Sequence, residues 1–559
     1  MKGRQEDTMR EEETDRFSPE DLRGLFAPPP YPETTERIRE RLLLSLRALS
    51  RRNGAPTSWP SSSLATRFLE SGQPLQPWSF EDYVQLLDDD ILPHVARVAS
   101  PHSLGHMTSG VPGFMRVLGD LVLGLNQNLV KKDASRVLTL LERQTIGMMH
   151  RLAYRCPAAF YDSHIQDEDS TLGIATSGGT LANITALWIA RNSCLGPRDA
   201  FAGVEATGLP AALDHYGYDR AVIIGSSLMH YSLEKAVSIL GFGADSLLKI
   251  PVDRHGCVCI GHLRNALADC RRQRARIVAI VGIAGSTDCG SIDALGELAS
   301  AAREAGVHFH VDAAWGTPLL FSALHRDKLN GIERADSVTL DGHKQLCLPI
   351  GNGLLLLRNP TAAGVIAKAT RYMLQEGTGD LGRCSMEGSR PASTLFLHAA
   401  LHVIGQQGYE FIGNENIRKA QVMAAMIRDR PEWELLMEPQ TSIVLYRYIP
   451  ERWRVRRTQC HMFTPEENRQ LNELNESLQK IQSEKGSTFV SRTIIENSSQ
   501  GEGAPIAALR AVIVNPLVED ADLRAVLEDQ AAIGAELEQT LPPRRRVHGH
   551  EDMLFTVRP

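Results

Sequence analysis

From residue 172 onward, short apolar segments alternate with longer segments that have helical spacing. The apolar segments LGIAT, RAVIIG, RIVAIVGIA, VHFHVDAA, DSVTL and GLLLL predict strands, and residues 180–192, SLEKAVSIL and DALGELASAAREAG predict helices. Such alternation favours a mostly parallel sheet with helices on both faces, which is an α/β fold. Sheets of this kind bind ligands at the carboxyl ends of their strands.

The chain is long enough for more than one domain. Its 559 residues, 43% of them hydrophobic, predict two or three domains with a large core. Residues 1–100 predict an N-terminal arm, a linker and helices, and one helix at 33–50 carries an apolar stripe of Ile38, Leu42, Leu46 and Leu49. Residues 101–415 predict a large domain that contains the sheet. Residues 416–559 predict a smaller α+β domain, with strands in SIVLYRYI, TFVSRTII and ALRAVIVNP and helices at 465–484 and 520–538.

Charge and cysteine usage exclude several classes of partner. The formal net charge is −7 with 23% charged residues, so neither nucleic acid nor an anionic membrane is an expected partner. The first sixteen residues carry charges of both signs without an apolar core, and no apolar run is long enough to cross a bilayer, which predicts a cytoplasmic protein. Nine irregularly spaced cysteines predict reduced thiols. Cys257 and Cys259 favour a structural role over a zinc site, and no metal is predicted.

Polar residues follow the predicted strands in order along the chain. In ATSGGTLAN, the residues Gly178, Gly179 and Thr180 stand where a strand gives way to a helix, so free N–H groups and the helix dipole favour a phosphate there. A plain tight turn is the alternative for that motif. His230 follows the next strand and could instead be a capping or packed histidine. Ser286 lies in a further polar turn, GIAGSTDCGSID.

Two charged residues complete this series. Asp312 ends the apolar strand VHFHVD, and a buried carboxylate needs either a structural ion pair or a protonated heterocyclic nitrogen as its partner. Lys344 follows the strand DSVTL, where a surface lysine would need no explanation. Together the residues match the needs of pyridoxal 5'-phosphate (PLP): a lysine for a Schiff base, a carboxylate for the pyridine nitrogen, an aromatic face and a phosphate seat. The series therefore predicts a PLP site.

Several of these motifs resemble a known family. TSGGT, HYS, HVDAAWG, DSVTLDGHK and EGSRP resemble the group II pyridoxal-dependent amino acid decarboxylases, and the likeness extends over about residues 95–540. The resemblance implies the aminotransferase-like PLP fold of type I, in which a mostly parallel seven-stranded sheet carries helices on both faces and a smaller α+β domain follows. GHMTSGVPGFM, LGLNQNLVKKDAS, LERQTIGMMHRL and LHVIGQQGYEFI are similar to the bacterial branch of aspartate 1-decarboxylases, which borders on glutamate decarboxylases.

The resemblance also implies roles for individual residues. Lys344 would bind PLP covalently, Asp312 would pair with the pyridine nitrogen, and His230 would stack on the ring. Arg510, in ALRAVIVNP, would meet the substrate carboxylate, although a surface arginine is the alternative, and His106 would lie near the substrate side chain. The implied cofactor-binding residues are Gly178, Gly179, Thr180, His230, Ser286, Asp312, Ala314, His343 and Lys344.

The implied activity is that of a carboxy-lyase acting on a small acidic L-amino acid. Aspartate decarboxylation to β-alanine is favoured, and glutamate decarboxylation to 4-aminobutyrate is the first alternative. An aminotransferase or carbon–sulfur lyase, or a non-catalytic relative that serves as a binding protein, is also compatible with the fold. The resemblance implies a homodimer as well. The proton donor is open, because Tyr372 is the sole tyrosine in TRYMLQEGTGDLGRCSMEGSR and could be a packing residue instead.

Overall fold

A computed structural model describes residues 33–50, 62–369, 377–458, 463–495 and 505–539, and Tyr372 lies outside these ranges. The α-helices are α1 Glu33–Leu49, α2 Ser62–Arg67, α3 Phe80–Leu86, α4 Phe114–Leu125, α5 Lys132–Ser135, α6 Val137–Tyr154, α7 Ala158–His164, α8 Gly179–Cys194, α9 Val204–Thr207, α10 Leu209–Tyr216, α11 Ser232–Ile239, α12 Ile260–Arg272, α13 Leu295–Ala305, α14 Thr394–Val403, α15 Gly405–Arg428, α16 Glu451–Thr458, α17 Pro465–Lys485 and α18 Asp520–Glu538. The strands are β1 Gly173–Thr176, β2 Arg220–Ser226, β3 Leu247–Ile250, β4 Ala275–Ile283, β5 His308–Asp312, β6 Ser337–Asp341, β7 Gly353–Leu357, β8 Trp433–Met437, β9 Ile443–Tyr448, β10 Ser491–Ile495 and β11 Ile506–Val512.

The first sheet has seven strands in the order β1-β7-β6-β5-β4-β2-β3. The strand β7 is antiparallel to both of its neighbours, whereas β2, β3, β4, β5 and β6 pair in parallel. Because β1 and β6 are both antiparallel to β7, every strand except β7 runs in the same direction. The carboxyl ends of six strands therefore meet at one edge, which confirms the predicted α/β fold.

Both faces of this sheet are covered by helices, and successive residues of one strand show why. In β2, Val222 and Ile224 pack in a core with Leu263 of α12 and Leu298 of α13. Ile223, which points to the opposite face, packs with Leu187 of α8 and with α11. A strand buried on both faces needs a continuous apolar sequence, which explains the run AVII.

The second sheet is smaller and fully antiparallel. Its four strands follow the order β10-β11-β9-β8. The helix α17 packs against it, since Leu471, Leu474 and Leu478 are buried, and α15 and α18 contribute Met423 and Val526 to the same core. Arg510 of β11 donates hydrogen bonds to the loop that follows β4 of the first sheet, so the second sheet contacts the loops at the strand edge.

Most of the predicted elements are confirmed, and two strands were missed. The strand β3 at the sheet edge has only four residues, LLKI, and β8 reads WELLM, so neither shows a long apolar run. The domain boundary predicted at residue 415 falls within α15, and the division into domains stays a prediction. None of the helices in the described part of the chain combines the length and apolarity needed to cross a membrane.

Candidate active site

The loops at the shared strand edge of the first sheet surround a cavity of about 460 Å³. This volume lies in the range of small-molecule and cofactor sites. Loops that follow β1, β2, β4, β5 and β6 all border it. Every predicted cofactor residue lines the cavity, namely Gly178, Gly179, Thr180, His230, Ser286, Asp312, Ala314, His343 and Lys344.

Lys344 and Asp312 approach the cavity from neighbouring strands. Lys344 is half-buried, three residues after the end of β6, and among the described residues its Nζ forms no hydrogen bond or ion pair. Asp312, the last residue of β5, is 9% exposed. The Ala314 N–H donates to Asp312 Oδ1 over 3.1 Å, and Asn183 Nδ2 donates to Asp312 Oδ2 over 2.8 Å. These two donors fix the plane of the carboxylate.

His230 lies beside both charged residues. Burial lowers its pKa below the usual value, and Lys344 lowers it further, while Asp312 opposes the shift. The Ser232 N–H donates to His230 Nδ1 over 3.3 Å, which orients the ring at the start of α11. A neutral, oriented imidazole is suited to stacking on an aromatic cofactor.

The other end of the cavity is formed by the amino terminus of α8. The strand β7 begins at Gly353, and a Cβ at this position would lie 2.5 Å from the Gly178 Cα, so only glycine permits this approach. Asp341 Oδ2 accepts the Gly179 N–H over 3.2 Å, and Asp341 Oδ1 accepts the His343 N–H over 3.1 Å. His343 Nδ1 is 2.9 Å from Asp341 Oδ1 without making a hydrogen bond. Asp341 thus holds the turn together and adds a negative charge beside it.

The hydroxyl of Ser286, a predicted cofactor residue, makes its contacts within its own loop. Its Oγ lies 2.9 Å from Ser291 Oγ and 3.1 Å from Cys289 Sγ, and it accepts the Ser291 N–H over 3.1 Å. These contacts fix the loop after β4. The role of Ser286 at the phosphate stays a prediction.

The residues present fit PLP. A free lysine amine, a carboxylate held by two donors, an imidazole and a helix amino terminus all border one cavity, and each matches one part of the cofactor. In contrast, no group of three or more His, Cys, Asp or Glu side chains within the described ranges is arranged to hold a metal ion. Cys257 and Cys259 are free thiols.

Arg510 and His106, the predicted substrate residues, do not line the cavity but lie close to it. Arg510 Nε donates to Thr287 O over 2.8 Å and to Asp288 O over 3.2 Å, and its Nη1 donates to Ser491 Oγ over 2.9 Å. Its Nη2 is buried without a hydrogen-bond partner, and burial lowers the pKa of Arg510 to about 10. Thr287 lines the cavity, so the Arg510 guanidinium is in direct contact with a residue of the cavity wall.

His106 is exposed, and its ring lies 5.0 Å from that of Phe489. Although the residue is exposed overall, partial desolvation of its ring lowers the pKa of His106, and the charge of Arg510 lowers it further. The neighbouring Met107 lines the cavity instead of His106. The assignment of His106 to the substrate stays a prediction.

Sequence reasoning missed the residues that support Asp312 from behind. Asn183 contacts Asp312, and His310 contacts Asn183, with both side chains buried. One signal was available, because His310 stands two residues before Asp312 and so shares its face of β5. Asn183 lies four residues after Gly179, on the same side of α8.

Comparisons with known proteins agree with this geometry. A family model described as "Pyridoxal-dependent decarboxylase conserved domain" matches residues 65–449. The chain is 37% identical over 536 residues to an aspartate 1-decarboxylase from Aliivibrio fischeri, with 95% of this chain and 97% of that protein covered. It is 32% identical over 366 residues to an L-2,4-diaminobutyrate decarboxylase from Rhizobium meliloti, with 65% and 68% covered. In fold it is similar to the crystal structure of mouse CSAD, with a TM-score of 0.76, 21% identity, and 90% and 99% of the two chains covered.

Proposed function

The chain belongs to the family of pyridoxal-dependent decarboxylases, and we propose that its substrate is L-aspartate, which it converts to β-alanine. Membership makes the chain a PLP-dependent carboxy-lyase. The observation that carries the choice of aspartate is the 37% identity to an aspartate 1-decarboxylase over 95% of the chain. The lower identity and coverage of the diaminobutyrate decarboxylase make its substrate the second candidate.

In this proposal the first sheet holds the cofactor. When bound, PLP supplies an electron sink for the pair left at Cα as carbon dioxide departs. Lys344 Nζ would hold the cofactor covalently, Asp312 would pair with the ring nitrogen, and His230 would stack on the ring. The amino terminus of α8, with Gly179 and Thr180, would bind the phosphate. Support comes from the common cavity that these residues line.

Arg510 binds the α-carboxylate of the substrate in this proposal. Its buried Nη2 has an N–H without a partner, and a buried unpaired donor is costly to leave unsatisfied. A carboxylate removes that cost, and the planar guanidinium fixes its orientation relative to the cofactor. Thr287 O, Asp288 O and Ser491 Oγ hold the rest of the guanidinium, so the unpaired N–H has a fixed direction.

The choice of substrate is tested by supplying amino acids singly. Purified protein with PLP is incubated with L-aspartate, L-glutamate or L-2,4-diaminobutyrate, without a keto acid, and the products are identified by mass spectrometry. We expect β-alanine and carbon dioxide from aspartate at the highest kcat/KM. Faster formation of 4-aminobutyrate or 1,3-diaminopropane would reassign the substrate, and a requirement for a keto acid would indicate an aminotransferase.

We also propose that the active protein is a homodimer. The predicted stripe of α1 is only partly covered, since Leu46 is 39% exposed while Ile38 is buried. On α4, Val117 is 69% and Leu123 is 78% exposed. A monomer rarely leaves so much apolar surface in contact with water, and a second copy of the chain would cover it. Sedimentation should show a dimer, and Leu123→Glu should weaken it; a wild-type monomer at working concentration contradicts the proposal.

A cytoplasmic location is the last part of the proposal. Each described cysteine is a free thiol, which is typical of a reducing compartment. Cell fractionation with an antibody to the protein should place it with cytoplasmic markers. Recovery with membrane or secreted fractions would contradict this.

A further inference from the structure

Behind the Asp312 carboxylate lies a chain of buried hydrogen bonds. His308 Nε2 is 2.7 Å from Ser337 Oγ, which is 2.8 Å from His310 Nδ1. His310 Nε2 is 3.0 Å from Asn183 Oδ1 and 3.5 Å from Thr339 Oγ1. Asn183 Nδ2 then donates to Asp312 Oδ2 over 2.8 Å. Four side chains thus connect His308, the first residue of β5, to the carboxylate of Asp312, its last residue.

The sheet register brings these residues together. His308, His310 and Asp312 alternate along β5, so they share one face of the sheet. In the parallel pairing of β5 and β6, His310 lies opposite Ser337 and Asp312 lies opposite Thr339. The helix α8 packs on this face, with Asn183 in its second turn. The chain is therefore a consequence of strand register and helix packing.

Asn183 fixes the direction of the chain at its cofactor end. Its Nδ2 donates both to Asp312 Oδ2 and, over 2.9 Å, to Ser232 Oγ. Turning the amide around would place its oxygen against the carboxylate, so that two acceptors faced each other. Asn183 Oδ1 therefore faces His310, which must supply the N–H between them.

The same reasoning continues through the histidines. Because His310 Nε2 donates, Nδ1 of the neutral ring must accept, so the Ser337 hydroxyl donates to it. Ser337 Oγ then accepts from His308 Nε2–H. Burial, opposed in part by Asp312, lowers the pKa of His310 to about 4, and burial also lowers the pKa of His308. Both rings are thus neutral at neutral pH, as the chain requires.

We propose that His308, Ser337, His310 and Asn183 form a one-directional hydrogen-bond chain whose donors all point toward Asp312, and that His310 acts through it as a positioning residue for the PLP ring. Donors aligned in series polarise one another, so the last donor, Asn183 Nδ2–H, binds the carboxylate more strongly than an isolated amide. Asp312 is thereby held in one orientation. This inference rests on the proposed function, in which Asp312 faces the ring nitrogen.

The first test replaces His310 with an apolar ring. The His310→Phe variant leaves Asn183 Oδ1 without its donor, so the amide is held from one side only and its hydrogen bond to Asp312 is weakened. We expect the dissociation constant for PLP, measured by fluorescence titration of the apoprotein, to rise about tenfold. The absorbance spectrum of the bound cofactor should also shift in its pH dependence.

His150→Phe is the matched control. His150 is also fully buried, and burial likewise lowers its pKa to about 4, but it contacts Tyr161 OH and Leu357 O rather than this chain. His150→Phe should leave PLP affinity and spectrum within twofold of wild type. His310→Gln retains an N–H for Asn183 and should recover most of the affinity. Equal effects of His310→Phe and His150→Phe, or no recovery in His310→Gln, would overturn the proposal.

Ser337→Ala is a smaller substitution that tests the same hydrogen-bond chain if His310→Phe does not fold. Ser337→Ala removes the donor to His310 Nδ1, and we expect PLP to bind about threefold more weakly. Ser322→Ala is its control, because Ser322 is equally buried but donates to Asn414. Wild-type affinity and spectrum in Ser337→Ala would contradict the proposal.

Asp312→Ala separates this inference from the proposed function. If Asp312→Ala weakens PLP binding but His310→Phe and Ser337→Ala do not, the chain has no positioning role and the proposed function stands. If Asp312→Ala itself leaves PLP affinity and spectrum unchanged, the proposed role of Asp312 is wrong, and the inference is overturned with it.

Discussion

The two sheets contribute to the candidate active site in different ways. At the edge of the first sheet, Asp312 already has donors from Ala314 and Asn183, and the turn at Gly179 is held by Asp341. In the second sheet, Arg510 is buried with one nitrogen that has no partner. The Asp312 carboxylate and the turn at Gly179 are therefore held by the chain itself, while Arg510, the proposed substrate-binding residue, is left one partner short.

This difference follows from what each side must bind. A resident cofactor is held in one orientation, which favours groups fixed in advance by internal hydrogen bonds. A substrate must enter and leave, so a side chain that binds it has an unpaired N–H between turnovers. That buried N–H carries a desolvation cost until the carboxylate of the substrate accepts its hydrogen bond. If this comparison is correct, changes on the first sheet should alter cofactor binding, and changes on the second sheet should alter substrate binding alone.

The largest effect is expected from removal of the lysine on the cofactor side. Lys344→Ala should lower decarboxylation of aspartate by roughly 10⁴-fold, because the covalent attachment of PLP is lost. The protein should also release PLP during gel filtration. The matched control is Lys249→Ala, since Lys249 is paired with Glu234 at the surface. Activity of Lys344→Ala near that of Lys249→Ala would remove the basis of the comparison.

The second prediction concerns stability in acid, which should differ between the two sheets. His150 packs against β7 of the first sheet, and burial lowers its pKa from 6.5 to about 4. Its neutral form is favoured by folding, so this stability is complete above pH 6.5 and is lost as the pH falls toward 4. The shift corresponds to about 3 kcal/mol. The described residues from 416 to 539 include no histidine.

Thermal unfolding between pH 7.5 and 4.5 measures this effect. The wild-type melting temperature should fall steeply below pH 6.5, and the fall should be shallower in His150→Phe. An identical pH dependence in the two proteins would mean that His150 does not titrate with folding as expected.

The third prediction concerns Arg510, whose replacement should weaken substrate binding without weakening cofactor binding. Arg510→Met should lower kcat/KM for aspartate roughly 10- to 100-fold, because charge-assisted hydrogen bonds to the α-carboxylate are lost. Affinity for PLP should stay within twofold of wild type. Arg510→Lys keeps the charge but not the planar fork, so its effect should be intermediate. Loss of PLP binding in Arg510→Met would show that the two sides are not separable.

The smallest effect is expected where the two sheets touch. Thr493 Oγ1 of β10 donates to Asp288 Oδ1 over 2.6 Å, and Arg510 binds the backbone of the same loop. Thr493→Val removes this bond, at about 1 kcal/mol, and should raise KM for aspartate roughly fivefold. Thr493→Ser retains the hydroxyl and should behave as wild type. A change in PLP affinity with an unchanged KM would contradict this prediction, because Thr493 would then act on cofactor binding and not on substrate binding.

Much of the cofactor side of the candidate site could be predicted from the sequence. Apolar strands followed by polar residues mark their own carboxyl ends, so Asp312 and Lys344 could be assigned to one edge of a sheet without coordinates. Strand β3 was missed because its four residues include the exposed Lys249 at the sheet edge. The pattern is weakest where a strand is short and only partly buried.

Contacts between distant segments could not be predicted. The motif EGSRP contains Arg390, whose buried guanidinium forms an ion pair with Glu142, 248 residues away in the chain. Likewise, Met107 rather than His106 faces the cavity, because the side-chain direction after a loop depends on the backbone path and not on composition. The chain from His308 to Asp312 needs both the strand register and the packing of α8.

The position of the covalent attachment of PLP is the most direct test of this account. The PLP-loaded protein is reduced with borohydride and digested, and the pyridoxyl-bearing peptide is identified by mass spectrometry. We predict a single modified lysine, Lys344. Modification of a different lysine, or a yellow protein that borohydride leaves without a modified residue, would contradict the assignment of this cavity as the cofactor site.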